Sequence, residues 1–175
     1  MDSIRKKILL TGANGYIGKR LLPVLLKDYQ VYCCVRDKSR FKYLGENAEY
    51  CEVIEVDFLN EASLVNIPTD INAAYFLMHS MSSSSIEFEK MEEKVAINFV
   101  KRLNETEVEH IVYLGGILND SKNSSKHLSS RNNVANILKL GKFNLTVLGA
   151  GIIVGSGSSS FEIMRDLVEK LPVMV

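Results

Sequence analysis

Gly12, Gly15 and Gly18 recur at three-residue intervals in Thr11-Gly12-Ala13-Asn14-Gly15-Tyr16-Ile17-Gly18, directly behind the apolar run Ile8-Leu9-Leu10. Glycines at such spacing hold an anion rather than break a bond. Gly12 permits a tight turn, Gly15 removes a Cβ so that backbone N–H groups can approach a phosphate, and Gly18 lets the next helix lie close to the strand. The helix N-terminus adds orphan N–H donors and a positive dipole end. The spacing is G-x-x-G-x-x-G rather than the general dinucleotide fingerprint G-x-G-x-x-G, and either pattern recurs by chance in loops. Its setting makes it informative. A β run precedes it, a helix with Ile17, Leu21, Leu22, Leu25 and Leu26 on one side follows, and a second strand, Gln30 to Val35, comes at βαβ distance. We therefore expect a dinucleotide pyrophosphate here, with Thr11, Gly12, Asn14, Gly15, Tyr16, Ile17 and Gly18 as its binding set; a merely structural turn is the alternative.

The elements that must position this turn are legible as short apolar runs alternating with helical patterns. Ile8 to Leu10, Val31 to Val35, Val53 to Val56, Ala73 to Leu77, Ile111 to Leu114 and Leu145 to Leu148 read as strands. Such near-continuous apolar runs belong to a parallel sheet buried on both faces. The clearest helix spans about Ile86 to Leu103, with Met91, Val95, Phe99 and Leu103 at four-residue spacing. The expected fold class is α/β: a Rossmann-type doubly wound parallel sheet in three α/β/α layers. Two serine-rich stretches, Ser80 to Ser85 and Gly155 to Ser160, follow strand ends at the edge where such sheets bind ligands. They could contact phosphate, ribose or substrate, or be loops ending in a helix N-cap at Ser85 or Ser160.

Composition narrows the partners. The chain of 175 residues has room for one domain, and 46% hydrophobic with 24% charged residues is ordinary globular usage. A net charge of +0 offers no clustered basic footprint, so neither nucleic acid nor an anionic membrane is an expected partner. Cys33, Cys34 and Cys51 supply no disulfide framework or C-x-x-C metal pattern, which fits reduced, buried thiols. No run is long enough for a signal peptide core or a membrane span, which points to a cytoplasmic protein. The last residues, Glu169 to Val175, form an apolar run without a polar tail. We read residues 1–175 as one dinucleotide-binding domain cut before most of a C-terminal substrate region, with a short natural terminus as the alternative.

TGANGYIG at the start, Asp57-Phe58 after the third strand, FLMHSM after the fourth, VYLGGI at the fifth and GAGIIVGSGSSSFE after the sixth together resemble the short-chain dehydrogenase/reductase superfamily. More narrowly they resemble its atypical extended branch, the NAD(P)-binding, nucleoside-diphosphate-sugar epimerase-like and NmrA-like proteins. The resemblance covers essentially the whole chain. It implies that Asp57 bonds the adenine amino group, that Phe58 flanks the ring, and that Leu77, Met78 and His79 line the adenosine ribose side. The competing reading of Asp57 is a cap on a helix beginning near Asn60.

Cofactor type turns on the end of the second strand, where NAD-specific members place an acidic residue and NADP-specific ones an arginine. Arg36 stands there. Its planar guanidinium can stack on adenine and pair bidentately with a 2′-phosphate, and Lys38 and Arg40 add positive charge nearby. Asp37 could serve a ribose 2′-OH or start the next helix. On this charge argument NADP(H) is expected in preference to NAD(H).

Classical members carry Y-x-x-x-K after the fifth strand, one helical turn apart, so that lysine lowers the tyrosine pKa and orients the ribose. No tyrosine in this chain has lysine four residues later. At the equivalent place stand His127 and Arg131, at i and i+4 and so on one helix face. His127 would replace tyrosine as the proton partner and Arg131 would take the lysine's place against ribose or phosphate. The other readings are a helix-terminal histidine bonded to loop backbone and a surface ion pair. Gly115-Gly116-Ile117 stands where the family places a carbonyl-polarising serine. Two functions follow: an NADPH-dependent reductase or sugar-nucleotide epimerase-like enzyme, or a non-catalytic redox sensor or assembly module. The expected partners are a dinucleotide and a small-molecule or sugar-nucleotide substrate; whether the chain is a monomer or a homo-oligomer is left open by the sequence.

Overall fold

The computed structural model describes residues 5–78, 86–117 and 126–170, excepting the side chains of 86–88 and 126–130. Six parallel strands form one sheet: β1 Lys7–Leu10, β2 Gln30–Val35, β3 Cys51–Glu55, β4 Ala73–Phe76, β5 His110–Gly116 and β6 Asn144–Ala150, in the order β3-β2-β1-β4-β5-β6. The helices are α1 Tyr16–Leu25, α2 Ile86–Leu103, α3 Lys126–Leu138 and α4 Ser159–Lys170. Each apolar run read from the sequence coincides with a strand, although Val56 and Leu77 fall one residue beyond the ends of β3 and β4, and the strand order is that of a doubly wound dinucleotide fold.

Period-two alternation distributes these runs between two cores. On one face Leu9, Cys34, Ile54, Phe76, Ile111 and Tyr113 meet Phe99 and Leu103 of α2 and Leu138 of α3. On the other, Ile8, Leu10, Val31 and Cys33 meet Leu22, Leu25 and Leu26 of α1 and its end. At β1 and β2 the sheet is thus covered on both sides, which explains why these strands carry almost no polar residue, whereas β6 has no fully buried residue. Phe58, Phe99, Phe76 and Tyr113 form a continuous ring series, with centroids 5.6, 4.7 and 5.6 Å apart.

The connections flanking β3 are tighter than α-helical crossovers. β2 leads through 3₁₀ turns at Lys38–Arg40 and Ala48–Tyr50, and β3 leads to β4 through the 3₁₀ helix Glu61–Asn66. Asn60 caps that helix by accepting from the Ala62 N–H at 3.2 Å. Before α4, the cap falls on Ser158 rather than on Ser160, because Ser158 is buried and its Oγ accepts the Phe161 N–H at 3.2 Å. Ser85 lies outside the described residues. Among the described residues no helix is long and apolar enough to cross a membrane.

Candidate functional site: a cleft above the glycine turn

The order β3-β2-β1-β4 opens a cleft at the strand ends where connections part to either side of the sheet. It has a volume of about 380 Å³, and its rim begins with Gly12, Ala13, Asn14 and Gly15. The turn is set by tertiary contact as well as by glycine. Thr11 Oγ1 donates to the Tyr75 carbonyl and accepts the Leu77 N–H, each at 3.0 Å, and so ties the end of β1 to the end of β4. Gly12 has φ +66°, and a Cβ there would lie 2.9 Å from the Leu77 carbonyl oxygen. A Cβ at Gly18 would come 2.3 Å from the Gly12 carbonyl oxygen, so its close approach is to the turn itself.

Gly15 is the N-cap of α1, with no side-chain cap bond and no acidic residue in the first turn. The positive end of the helix is left for an outside anion. Tyr16 does not close it, because its ring lies under the Arg20 guanidinium, 3.7 Å from the centroid. Arg20 in turn donates to the Ser156 carbonyl at 2.6 Å, fastening the segment before α4 to this helix. Thr11 is fully buried, and the hydrogen bonds of its hydroxyl go to β4. Its place in the site is therefore to hold the turn from beneath.

At the β2 end of the cleft Arg36 lines the wall, and Asp37 turns away. The Asp37 carboxylate accepts the Ser39 N–H at 2.9 Å and the Ser39 hydroxyl at 2.6 Å, capping the Lys38–Arg40 turn. These bonds hold its pKa below the usual carboxylate value. Of the two roles open to Asp37, the structure gives it the turn.

Asp57 and Phe58 both border the cleft, in unlike ways. Asp57 Oδ1 accepts the Leu59 N–H at 3.0 Å, closing a local turn, and the helix cap belongs to Asn60. The Phe58 ring is 3% exposed and packs on Phe99, so it backs the wall from the core side. Its carbonyl accepts from the buried Asn98 amide at 2.7 Å. Leu77 and Met78 line the cleft beside the glycine turn, and His79 lies outside the described residues.

The far end is built by α2 and α3. Arg131 lines it together with Met91, Glu92, Val95, Tyr113 and Val134. The four-residue stripe on α2 reads as core in sequence, but only Phe99 and Leu103 are fully buried. Met91 is 47% exposed, because the top of the stripe rises above the sheet into the cleft. Tyr113, which sequence reasoning passed over, donates to the Arg131 carbonyl at 3.4 Å. Burial pushes its phenol up to about 12, so at neutral pH it is a hydrogen-bond donor and no base. A Cβ on Gly115, the first residue of the Gly115-Gly116-Ile117 stretch, would lie 2.9 Å from the Tyr113 ring. His127 is on α3 one turn before Arg131, and its side chain is outside the described residues.

Known proteins share this fold. The fold resembles a triphenylmethane reductase of Citrobacter sp. solved with NADP(H), with a TM-score of 0.69 and 19% identity over 93% of this chain and 55% of that one. It also resembles the Bordetella bronchiseptica enzyme WbmG solved with NAD, with a TM-score of 0.73 and 15% identity over 96% of this chain and 61% of that one. A CDP-abequose synthase of Yersinia pseudotuberculosis is 38% identical over 66 residues, which are 37% of this chain and 23% of that enzyme. The chain thus spans about half of the solved relatives and matches less of the curated one. The model of the family described as NAD(P)H-binding matches residues 12–147, a stretch that holds the glycine turn, Arg36, Asp57 and the cleft floor, and the chain belongs to that family.

Proposed function

We propose that this chain is the cofactor-binding part of a cytoplasmic NADPH-dependent reductase or sugar-nucleotide epimerase-like enzyme. Arg36 carries the reading. It is the cation at the β2 end of the cleft, and its acidic neighbour is engaged elsewhere, since Asp37 caps a turn. A guanidinium so placed suits a 2′-phosphate, whereas an acidic residue would be needed for a free ribose 2′-OH. Gly12, Asn14, Gly15 and the first turn of α1 would hold the diphosphate, and Asp57, Leu77 and Met78 the adenosine. The nicotinamide supplies or accepts a hydride when bound. Within this chain Arg131 would hold ribose or phosphate at the α3 end, and His127, one helical turn earlier, would hand on the proton.

Titration calorimetry with NADPH, NADP, NADH and NAD tests the reading. The expected result is tighter binding of the two phosphorylated cofactors and loss of that margin in Arg36→Ala. Equal affinity for NADPH and NADH would overturn it.

A non-catalytic sensor has one observation in its favour. No tyrosine is followed by lysine four residues on. A sensor would bind NADPH and NADP with different affinity and turn over neither, since a ligand shifts a population only by differential affinity. Carbonyl-dependent NADPH oxidation that disappears in His127→Ala would decide for the enzyme.

A further inference from the structure

Cys33 and Cys51 stand 18 positions apart in the chain, yet their Sγ atoms lie 3.8 Å from each other in hydrogen-bond contact. Topology brings them together. The parallel register pairs Val31 with Cys51 and Cys33 with Val53, so the cysteines sit diagonally on one face of the β2–β3 ladder. Both belong to the cluster beneath α1, whereas Cys34 faces the opposite core. Cys33 is fully buried and Cys51 is half-buried, and both are free thiols.

We propose that Cys33 and Cys51 are a redox-active dithiol, which a hydroperoxide closes into a disulfide joining β2 to β3. This goes beyond cofactor binding and does not depend on it. The half-buried Cys51 meets the oxidant. Its sulfur attacks the hydroperoxide, the O–O bond breaks, one oxygen leaves as water or alcohol, and Cys51 becomes a sulfenic acid. The Cys33 sulfur then attacks Cys51 Sγ, the S–O bond breaks, and the displaced hydroxide departs as water with the Cys33 proton. In sum two thiols lose two electrons and two protons, and the peroxide gains them.

Two further observations support this division of labour. The hydrogen bond between the thiols draws the Cys51 pKa down and, together with burial, pushes that of Cys33 up, so Cys51 is the readier thiolate. A disulfide needs the sulfurs at about 2.05 Å, so closure requires an approach of roughly 1.8 Å. β3 is the edge strand that can supply it. Cys51 is its first residue, and the chain reaches it through the short 3₁₀ turn Ala48–Tyr50.

The test treats the reduced full chain with equimolar hydrogen peroxide, denatures it, alkylates the remaining thiols and maps peptides without reductant. The expected product has lost the mass of two hydrogens, carries one alkyl group, and yields a peptide joining Cys33 to Cys51. Cys34→Ala should form the same bridge, and Cys51→Ala and Cys33→Ala should form none. The proposal is overturned by three alkylated cysteines after excess oxidant, by stable oxygen adducts on Cys51 with Cys33 still alkylated, or by a bridge that uses Cys34 or a second chain.

Discussion

Thr11 and Leu77 are joined by a single hydrogen bond, Leu77 N–H to Thr11 Oγ1 at 3.0 Å, and through it the fourth strand sets the shape of the turn that follows the first. The same hydroxyl donates to the Tyr75 carbonyl at 3.0 Å, so one buried group satisfies two backbone positions. The consequence is mechanical: the glycine turn rests on β4 as well as on β1.

Replacing Thr11 by valine keeps the shape and removes both bonds, leaving the part-buried Leu77 N–H without its partner. A loss of about 1 kcal/mol is expected, the low end of the cost of an unsatisfied donor because this N–H is only part-buried. Urea denaturation should show a lower midpoint at unchanged slope, together with weaker NADPH binding.

Gly12→Ala meets two obstacles at once, a left-handed φ of +66° and a carbonyl 2.9 Å from the new Cβ. Left-handed strain alone costs about 1–3 kcal/mol, and the Leu77 backbone must also move. The variant should melt earlier and lose measurable dinucleotide binding by calorimetry.

Arg36→Ala and Asp37→Ala should separate into different phenotypes although the residues are adjacent. The first should cost roughly ten- to a hundredfold in NADPH affinity, as expected of a charge-assisted contact of about 1.5–3 kcal/mol. The second should leave cofactor preference alone and lower the melting temperature, since it removes the two bonds from Ser39. Calorimetry reads the first and a thermal melt the second.

Tyr113 predicts a pH dependence. Its folded pKa is raised by burial to about 12, above the value of about 10 for an unfolded tyrosine. A raised pKa means that the fold holds the neutral phenol. Its contribution is complete below about pH 10 and is lost as pH climbs towards about 12. Alkaline denaturation of Tyr113→Phe should be less steep over that window, and its phenolate absorbance should lack the latest-titrating component.

The strands, the glycine turn and the dinucleotide reading were legible because each is a local pattern: an apolar run, a glycine spacing, a four-residue stripe. The serine cap before α4 was misplaced by two positions, since what selects Ser158 over Ser160 is its burial beneath the preceding loop. Arg36 directly follows Val35, the last residue of β2. Only the packed structure shows that Asp37 is committed to Ser39 and that the Phe58 ring belongs to the core.

The sequence by itself determined a parallel α/β sheet with a glycine turn after its first strand, because a side chain's polarity and a glycine's freedom act within a few residues. The tertiary structure decided which residues from distant segments share the cleft, bringing Arg131 and Tyr113 to one end and Arg36 to the other. It also decided that Cys33 meets Cys51. Those meetings depend on strand order and register, which arise when separate runs compete for the same two cores, and no single run of sequence carries them.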